Sequence, residues 1–172
     1  MSFDGVVEAP EKWSFPYYTD EIQKHIGASM AASDAMLLGR VTYEGFEAAF
    51  SQGSGGDADA MNNMPKYVVS NKLKSADWKN STLIKGNIID EIKKLRQQPG
   101  KDLAISGSIT LAQSLMKQGL IDEYALLVYP VVLGTGKRLF AEGVPTIPLK
   151  LIEARPMSSG VVLMRYQPDN KA

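Results

Sequence analysis

The order of hydrophobic and polar positions along the chain predicts strands and helices that alternate. Ile22, Ile26 and Met30 recur every four residues, which is typical of one buried face of a helix, and Thr19 is in position to cap that helix. Short apolar runs between Gly, Pro or polar residues predict strands at residues 2–8, 35–38, 67–70, 81–84, 103–105, 123–132, 149–154 and 161–166. Helical spacing also predicts a helix that Thr42 caps, a helix over 88–97 and a helix from Ser108 or Thr110.

Strand–helix–strand units of this length favour a mainly parallel sheet with helices on both faces. The last two apolar runs predict a hairpin that turns at residues 157–160 and adds antiparallel strands. We therefore expect a three-layer α/β/α fold with a mostly parallel, mixed sheet, formed by one domain over residues 1–172. Within it, the Ser- and Gly-rich segment 51–63 is predicted to be a mobile internal loop.

The composition narrows the chemistry that the chain can support. Lys plus Arg and Asp plus Glu number 19 each, so no net field attracts nucleic acid or an anionic membrane. The chain has no Cys and a single His, His25, which excludes disulfides, thiolate metal sites, a Cys nucleophile and a multi-histidine metal site within one chain. The sequence shows no secretory signal and no apolar stretch of membrane-spanning length, and we expect a cytoplasmic protein.

Ligands of parallel α/β sheets bind where strands end and helices begin, and two such junctions are rich in small residues. At the first, Gly39, Arg40 and Thr42 follow a buried strand, where helix amides and a guanidinium favour a phosphate. The second, residues 105–110, has small residues that let a ligand approach the backbone closely. The alternatives are an ordinary turn with an exposed Arg at the first junction and a tight turn with a Ser cap at the second.

Two further segments place polar residues after a predicted strand. Ser70 and Lys72 lie at a strand end, where they can contact a 2′-phosphate or form a solvated loop. The segment 130–140 contains a Gly-Lys pair as a P-loop does. However, Val131 and Arg138 stand at positions that a P-loop fills with Gly and with Ser or Thr, so we reject nucleotide hydrolysis.

Five segments, in this order and spacing, resemble the dihydrofolate-reductase-like family. They are residues 2–5, 38–44, 66–70, 106–108 and 130–140, and they span nearly the whole chain. The branch that they resemble most is the reductase domain of the bifunctional riboflavin-biosynthesis deaminase–reductase, with its stand-alone relatives. The resemblance implies a dihydrofolate-reductase-like fold and a homodimer, for which the apolar strand at 124–132 is a candidate contact.

The resemblance also implies an NADPH-dependent oxidoreductase. Such a reductase transfers hydride, without a metal, to a small heterocyclic or ribosylamino-type substrate, as the 5-amino-6-(5-phosphoribosylamino)uracil reductase domain does. By position, the residues expected to bind NADPH are Gly39, Arg40, Thr42, Ser70, Lys72, Gly107, Ser108, Ile109, Thr110, Leu133 and Gly134. Those expected on the substrate side are Asp4, Glu8, Trp13, Phe46 and Phe140.

Asp4 is the candidate catalytic residue, as a proton donor or as a group that orients the substrate. Burial near the nicotinamide is expected to raise its pKa toward neutrality, and the equal alternative is a turn-forming Asp-Gly pair. Trp13, with its neighbours Phe15 and Tyr17, forms either an aromatic lid over a flat ring or a cover over the sheet edge. Of these two interpretations the cover is favoured.

Several features leave other functions open. Met1 alone stands before the segment that begins at Ser2, so the first strand is expected to be short. A short first strand is the feature that motivates the alternative of a non-catalytic nucleotide-binding or dimeric relative. A true dihydrofolate reductase places a substrate-binding carboxylate on its first helix. Here Gln23 lies nearest that register, and Asp20 and Glu21 lie at the helix N-terminus, where carboxylates have a structural role. A flavin-dependent enzyme is a third alternative, because a flat aromatic pocket can also hold FMN.

Overall fold

The computed structural model describes residues 1–169, and the chain packs as two compact units. One unit is residues 28–111, and the other joins residues 1–27 to the chain from residue 112 onward. The helices and strands, in chain order, are α1 (Asp20–Ala31), β1 (Ser33–Gly39), α2 (Arg40–Phe50), α3 (Gly56–Asn63), β2 (Lys66–Val69), β3 (Ser81–Ile84), α4 (Ile88–Arg96), β4 (Asp102–Ile105), α5 (Ile109–Lys117), β5 (Tyr124–Val128), β6 (Leu149–Pro156) and β7 (Val162–Pro168), besides short 3-10 helices at Pro10–Lys12 and Phe15–Tyr17.

Residues 28–111 form a four-stranded parallel sheet of order β3-β2-β1-β4. The four residues 35–38 of β1 are all buried, as their apolar run predicts. Leu38 belongs to a core cluster with Val68 of β2, and Tyr43 and Trp78 are members of the same cluster. The Tyr43 hydroxyl accepts a hydrogen bond from the backbone N–H of Trp78 at 2.9 Å, so this core also satisfies its polar atoms.

The other unit contains a three-stranded antiparallel sheet of order β5-β7-β6. The predicted C-terminal hairpin is present as β6 and β7. Its core includes Ile22 of α1, whose N–H donates to Thr19 Oγ1 at 3.4 Å, and this bond confirms Thr19 as the cap of α1. Trp13 and Tyr17 pack against that core, and their rings lie edge-on to Tyr129 at 5.5 and 5.9 Å. These contacts support the interpretation of the aromatic segment as a cover.

The segment 2–8 does not form the predicted strand. Ser2 and Val6 make only isolated bridges to the second half of the chain. Between them Gly5 turns the backbone at φ +87°, and Ser2 Oγ accepts the N–H of Val6 at 2.9 Å. The segment is a tight turn that local hydrogen bonds close. Backbone bonds on both sides of the turn join it to the second half of the chain, from Phe3 N–H to the carbonyl oxygen of Val131 at 2.8 Å and from Val7 N–H to that of Lys137 at 2.9 Å.

Two other boundaries differ from the prediction. The strand expected at 123–132 ends at Val128, two residues before Pro130, which has no N–H for a strand ladder. The helix that Thr42 was expected to cap begins at Arg40 instead. Its N-cap is Gly39, which has no side chain to bond the first amides, and Thr42 lies within the first turn.

The segment 51–63, predicted to be a loop, contains the helix α3. Gly55 and Gly56 lead into it with φ of +82° and +49°, a conformation that Gly adopts without strain. Met61 anchors the helix in the core at 6% exposure. The prediction of a loop is therefore wrong for residues 56–63, because one buried side chain outweighs a polar local sequence; the mobility of the segment stays a prediction.

Lys66, the first residue of β2, is buried at 1% exposure and holds the end of α3. Its Nζ donates to the carbonyl oxygens of Met61 at 2.7 Å and Met64 at 2.6 Å, and it lies 4.2 Å from the centroid of the Trp78 ring. Carbonyls and a ring face compensate the charge only in part, so burial lowers the pKa of Lys66 to about 8.

Candidate functional site

The two predicted junctions, and a third at the strand end that carries Ser70 and Lys72, follow neighbouring strands. β1 pairs in parallel with β2 on one side and with β4 on the other. Gly39, the last residue of β1, is in register with Val69, after which Ser70 follows. On the other side Leu37 is in register with Ile105, which begins the second junction. Because parallel strands end at the same edge of a sheet, all three junctions lie at one edge of the unit 28–111.

The first and second junctions touch each other. The N–H of Gly39 donates to Ser108 Oγ at 2.8 Å, and Ser108 is 6% exposed. Gly107 has φ +73°, and a Cβ added to it would lie 3.2 Å from Thr42 Cγ2. A residue without a side chain is therefore needed where the backbone after β4 crosses the first turn of α2.

Two helix N-termini begin at this edge. α2 starts at Arg40 without a side-chain cap, and α5 starts at Ile109, whose N–H bonds to the carbonyl oxygen of Gly107 at 3.1 Å. Amides in the first turn of a helix have no acceptor within the helix, and with the helix dipole they favour an anion. Thr110 is exposed and Ile109 is half-buried, so the first turn of α5 is open to a ligand.

Arg40 is not free in this structure. Its Nη1 forms an ion pair with Glu44 Oε2 at 2.7 Å, and both side chains are well exposed, at 38% and 44%. Exposed pairs at this spacing contribute about 0.5 kcal/mol, so a phosphate can take the place of the carboxylate. Glu44 was not predicted as a partner of Arg40, although the spacing of four residues within a helix is a signal for such a pair.

Ser70 has a structural role at the end of β2. The side chain is buried, and its Oγ accepts the N–H groups of Lys72 and Leu73, both at 3.1 Å. These bonds shape the turn that presents Lys72, which is exposed. A hydroxyl can also donate one hydrogen bond, which neither of these two bonds uses.

Asp4 lies in the other unit, and its pKa is shifted in the direction opposite to the one expected. Its Oδ1 accepts the Ser2 hydroxyl at 2.7 Å and the N–H of Leu133 at 3.1 Å, and its Oδ2 accepts the N–H of Gly134 at 2.9 Å. These hydrogen bonds, the Ser2 bond first, lower the pKa of Asp4 from 3.8 to about 2. The expectation that burial raises this pKa is wrong, because each donor stabilises the charged form.

The segment 130–140 binds Asp4 through both its backbone and its side chains. Arg138 Nε donates to the Asp4 carbonyl oxygen at 3.0 Å, and its Nη2 lies 3.6 Å from Oδ2. The amides of Leu133 and Gly134 are already bonded to Asp4. The expected contact of these two residues with a cofactor stays a prediction, and their N–H groups are not available for it in this structure.

The remaining substrate-side candidates have separate surroundings. Phe46 packs in the core of the unit 28–111, with its ring centroid 6.0 Å from that of Phe50, and a core role explains it. Trp13 Nε1 donates to the carbonyl oxygen of Glu8 at 3.0 Å, and the Glu8 carboxylate accepts the N–H of Lys137 at 3.3 Å. Phe140 is 43% exposed. Glu8, Trp13 and Phe140 lie in the same unit as Asp4, and Phe46 does not.

The carboxylate of Glu21 on α1 also has a structural role. Its Oε2 accepts the N–H of Ser158 at 3.0 Å and the hydroxyl of the same residue at 3.2 Å, while Oε1 lies 3.5 Å from Arg155 Nη1. The Ser158 backbone bond is the largest of several contacts that lower the pKa of Glu21. A substrate-binding carboxylate of the folate-reducing type is not supplied by this residue.

Comparison with known proteins identifies relatives over the whole chain. A family model described as the RibD C-terminal domain matches residues 1–163. The uncharacterized protein YyaP of Bacillus subtilis (strain 168) is 41% identical over 101 residues, which are 59% of this chain and 53% of YyaP. The match thus spans about half the length of that relative. Among the described residues, no helix has the length and apolar character needed to cross a membrane.

Solved structures show the fold. A crystal structure from Shewanella sp. PV-4, named for riboflavin biosynthesis, has a TM-score of 0.80 and 22% identity, covering 99% of this chain and 96% of the other. Dihydrofolate reductase from Enterococcus faecalis, complexed with NADP(H), has a TM-score of 0.67 and 15% identity, with 99% and 93% covered. The Thermotoga maritima deaminase/5-amino-6-(5-phosphoribosylamino)uracil reductase has a TM-score of 0.67 and 13% identity, with 98% and 54% covered. The expected dihydrofolate-reductase-like fold is therefore confirmed.

Proposed function

The chain belongs to the RibD C-terminal domain family, and on that premise we propose that it is a cytoplasmic, NADPH-dependent oxidoreductase. Its substrate is a small heterocyclic or ribosylamino-type molecule that accepts hydride. The observation that carries the proposal is the bond between Gly39 N–H and Ser108 Oγ, with the contact of Gly107 and Thr42 beside it. Two helix N-termini are thereby fixed at one sheet edge, a pair of anion sites that suits a dinucleotide.

The residues of this edge fit the cofactor. NADPH, when bound, supplies the hydride. The uncapped first turn of α2 offers amides to one phosphate, and the first turn of α5, with Thr110 exposed beside it, offers amides to another. Gly107 lets the start of α5 lie close to the first turn of α2, because a Cβ there would be 3.2 Å from Thr42 Cγ2.

A preference for NADPH over NADH follows from three polar groups. Arg40 exchanges its ion pair with Glu44 for the additional 2′-phosphate. Lys72 is exposed after the turn that Ser70 shapes, and it adds a second positive charge. Neither cation is needed for NADH, which lacks that phosphate.

The test is a titration of the wild-type protein and Arg40→Ala with NADPH and with NADH, followed by nucleotide fluorescence. We expect Arg40→Ala to raise the Kd for NADPH by about tenfold and the Kd for NADH by less than threefold, since a charge-assisted hydrogen bond contributes about 1.5–3 kcal/mol. Lys93→Ala, which removes an exposed positive charge from α4, is the matched control and should leave both constants unchanged. Failure of the wild-type protein to bind either nucleotide would refute the proposal.

On the substrate side, we propose that Asp4 is a positioning residue. Its ionised carboxylate holds the turn at Leu133 and Gly134, and a group with a pKa of about 2 does not deliver a proton near neutral pH. Glu8, Trp13 and Phe140, which share a unit with Asp4, are proposed to border the substrate. We also propose a homodimer, which sedimentation of the purified protein tests directly.

A second candidate function is nucleotide binding without hydride transfer, because the segment 2–8 forms only isolated bridges where a strand was expected. The two functions differ in one assay, the oxidation of NADPH in the presence of pteridine, pyrimidine and quinone acceptors. A reductase consumes NADPH with at least one acceptor class, whereas a nucleotide-binding relative shows the fluorescence change alone. FMN added to the same assay tests the flavin alternative, which requires uptake of the coloured cofactor.

A further inference from the structure

The strand β6 leaves one edge of the antiparallel sheet open. The sheet has the order β5-β7-β6, so β6 pairs with β7 on one side, and no residue between 1 and 169 pairs with it on the other. In an edge strand, half of the backbone N–H and C=O groups point away from the paired neighbour and can bind another strand. The opposite edge, at β5, is occupied: the Met1 nitrogen donates to the carbonyl oxygen of Leu127 at 2.7 Å, and Tyr129 N–H donates to that of Met1 at 2.8 Å. The sheet can therefore be extended at β6.

The open edge presents apolar side chains. Leu149, Leu151 and Ile152, which all belong to β6, are 37%, 51% and 42% exposed. Edge strands that avoid pairing present charged residues or Pro and keep their apolar side chains inside. β6 does the reverse over its first four residues, where Lys150 is the single charged residue. A contiguous apolar surface of this kind is typical of an interaction site.

A β-bulge in β6 changes which of its residues share a face of the sheet. The register places Lys150 and Glu153 opposite two residues of β7 that are two positions apart, while Ile152 between them has no partner. Residues two apart in a strand point to the same face, so Lys150 and Glu153 share a face although they are three residues apart. From the point between Leu151 and Ile152, the strand is complementary to itself in both directions. An apolar residue comes first on each side, followed by a Lys on one side and a Glu on the other.

The face of the sheet that carries Glu153 has an excess of negative charge. Three carboxylates and two guanidinium groups are joined there in one row of ion pairs, so one negative charge is left over. The pairs in this row are Glu21–Arg155 at 3.5 Å, Arg155–Glu153 at 3.0 Å, Glu153–Arg165 at 3.5 Å and Arg165–Glu123 at 2.7 Å. Lys150 is exposed on the same face and has no ion-pair partner within residues 1–169. The Lys150 of a second copy is a cation that neutralises this excess.

We propose that β6 pairs antiparallel with β6 of a second copy of this chain, about a two-fold axis between Leu151 and Ile152. Each copy then contributes both members of every pair, as a two-fold axis requires. The pairs that face each other, one residue from each copy, are Leu151 with Ile152, Lys150 with Glu153 and Leu149 with Ala154. The exposed apolar side chains are covered, and each Lys150 meets the carboxylate of the opposite row of ion pairs.

The proposal rests on the homodimer of the proposed function and names its contact strand and register. The segment 124–132, which the sequence suggests as the contact, contains β5, and the first residues of the chain already occupy the outer side of that strand. The assembly therefore closes at two copies, because neither copy has a second open edge in this sheet.

The chain has no Cys, so single cysteines report the register of the contact. Leu149→Cys and Ala154→Cys are mixed, left to exchange subunits and oxidised, and the products are identified by mass spectrometry. Directly opposite residues have Cβ atoms about 4.5–5.5 Å apart, close to the separation that a disulfide needs. We expect a covalent heterodimer from the mixture and no covalent dimer from either variant alone, because equal positions of the two copies lie about 17 Å apart along the strands. Ala125→Cys is the matched control for Ala154→Cys: Ala125 is an exposed Ala of β5, and its mixture with Leu149→Cys should give no heterodimer.

Sedimentation of Lys150→Glu tests the charge pair without any cysteine. The change places two carboxylates opposite each other in both symmetric pairs, and we expect the Kd of the dimer to rise about tenfold. Lys93→Glu, the same change at an exposed residue of α4, is the matched control and should leave that Kd as it is in the wild-type protein. Circular dichroism checks that both variants fold.

The outcomes distinguish this proposal from the proposed function. If the wild-type protein sediments as a dimer but the mixture of Leu149→Cys and Ala154→Cys gives no heterodimer, the contact at β6 is overturned and the homodimer stands. If the wild-type protein sediments as a monomer, the homodimer and the contact at β6 are overturned together. Neither result changes the NADPH titration, which tests the reductase function by itself.

Discussion

Replacement of Ser108 by Ala tests whether the two junctions at the end of β1 and the start of α5 depend on each other. The change removes one oxygen atom, the acceptor of the Gly39 N–H at 2.8 Å. The Cβ and the backbone of residue 108 stay in place, so the packing around α5 changes little. The perturbation therefore isolates one hydrogen bond between the end of β1 and the start of α5.

The magnitude follows from the burial of the two groups. Ser108 is 6% exposed, and Gly39 is half-buried, so water reaches the abandoned N–H only in part. A fully buried, unpaired donor costs about 1–3 kcal/mol, and partial access of water places the loss at about 1–2 kcal/mol. For a chain of this length, each kcal/mol shifts the Tm by roughly 2–4 °C, so we expect a decrease of about 2–8 °C.

Two assays measure this effect at different levels. Urea unfolding gives the free energy of unfolding, and hydrogen exchange followed by NMR reports the Gly39 amide itself, which should exchange faster in the variant. Ser106→Ala is the matched control, because Ser106 is an exposed residue of the same junction. It should leave both the urea midpoint and the exchange of the Gly39 amide as they are in the wild-type protein.

The same variant, Ser108→Ala, should bind NADPH more weakly than the wild-type protein does. If the bond between Gly39 and Ser108 aligns the two helix N-termini, its loss lets them move apart, and we expect the Kd to rise severalfold in the fluorescence titration. Unchanged protection of the Gly39 amide together with an unchanged urea midpoint would refute the structural reasoning. If the variant shows the expected decrease in stability but binds NADPH with unchanged affinity, the bond is structural and does not contribute to the binding site.

The remaining predictions concern pH. The pKa of Asp4 is lowered from 3.8 to about 2, so its contribution to stability is complete above about pH 4 and disappears as the pH falls toward 2. Asp4→Asn should therefore lose less stability than the wild-type protein as the pH falls from 4 to 2, which tryptophan fluorescence follows. An acid unfolding curve identical to that of the wild-type protein would contradict the assignment. The pKa of Lys66 is lowered from 10.5 to about 8, so its charged form disfavours folding below that pH. Between pH 8 and 10, the free energy of unfolding of the wild-type protein should rise relative to Lys66→Met, by at most about 3 kcal/mol; urea titrations at both pH values check this, and a constant difference would contradict it.

Much of the parallel sheet could be predicted from the sequence because its signals are local. The apolar run before Gly39 is a strand with buried residues on both faces, and such runs mark central parallel strands. Small residues after β4 likewise mark a close backbone approach, which the contact of Gly107 with Thr42 explains. What could not be predicted is the direct bond of Gly39 to Ser108, because 69 residues separate the two groups along the chain.

The elements that were predicted wrongly are those in which one distant contact outweighs the local sequence. Residues 56–63 have the composition of a loop, yet Met61 enters the core and the Lys66 ammonium binds the carbonyl that Met61 presents. Residues 2–8 have the composition of a strand, yet the positive φ of Gly5 turns them. In both cases the deciding interaction depends on the tertiary structure, which hydrophobic periodicity does not report.

Asp4 shows how the same limit changes a functional conclusion. Its position beside a Gly on an apolar segment favours burial, and burial alone raises the pKa of a carboxyl group. The donor that lowers the pKa most is the Ser2 hydroxyl, two residues away, and the amides of Leu133 and Gly134, 129 and 130 residues away, add to its effect by stabilising the charged carboxylate. Under the proposal that Asp4 is a positioning residue, the proton for the product comes from another side chain or from water, and Asp4 acts through the shape of the turn that it holds. Asp4→Asn should accordingly change KM and leave the pH dependence of kcat as it is in the wild-type protein. Loss of a proton donor would instead change the pH dependence of kcat.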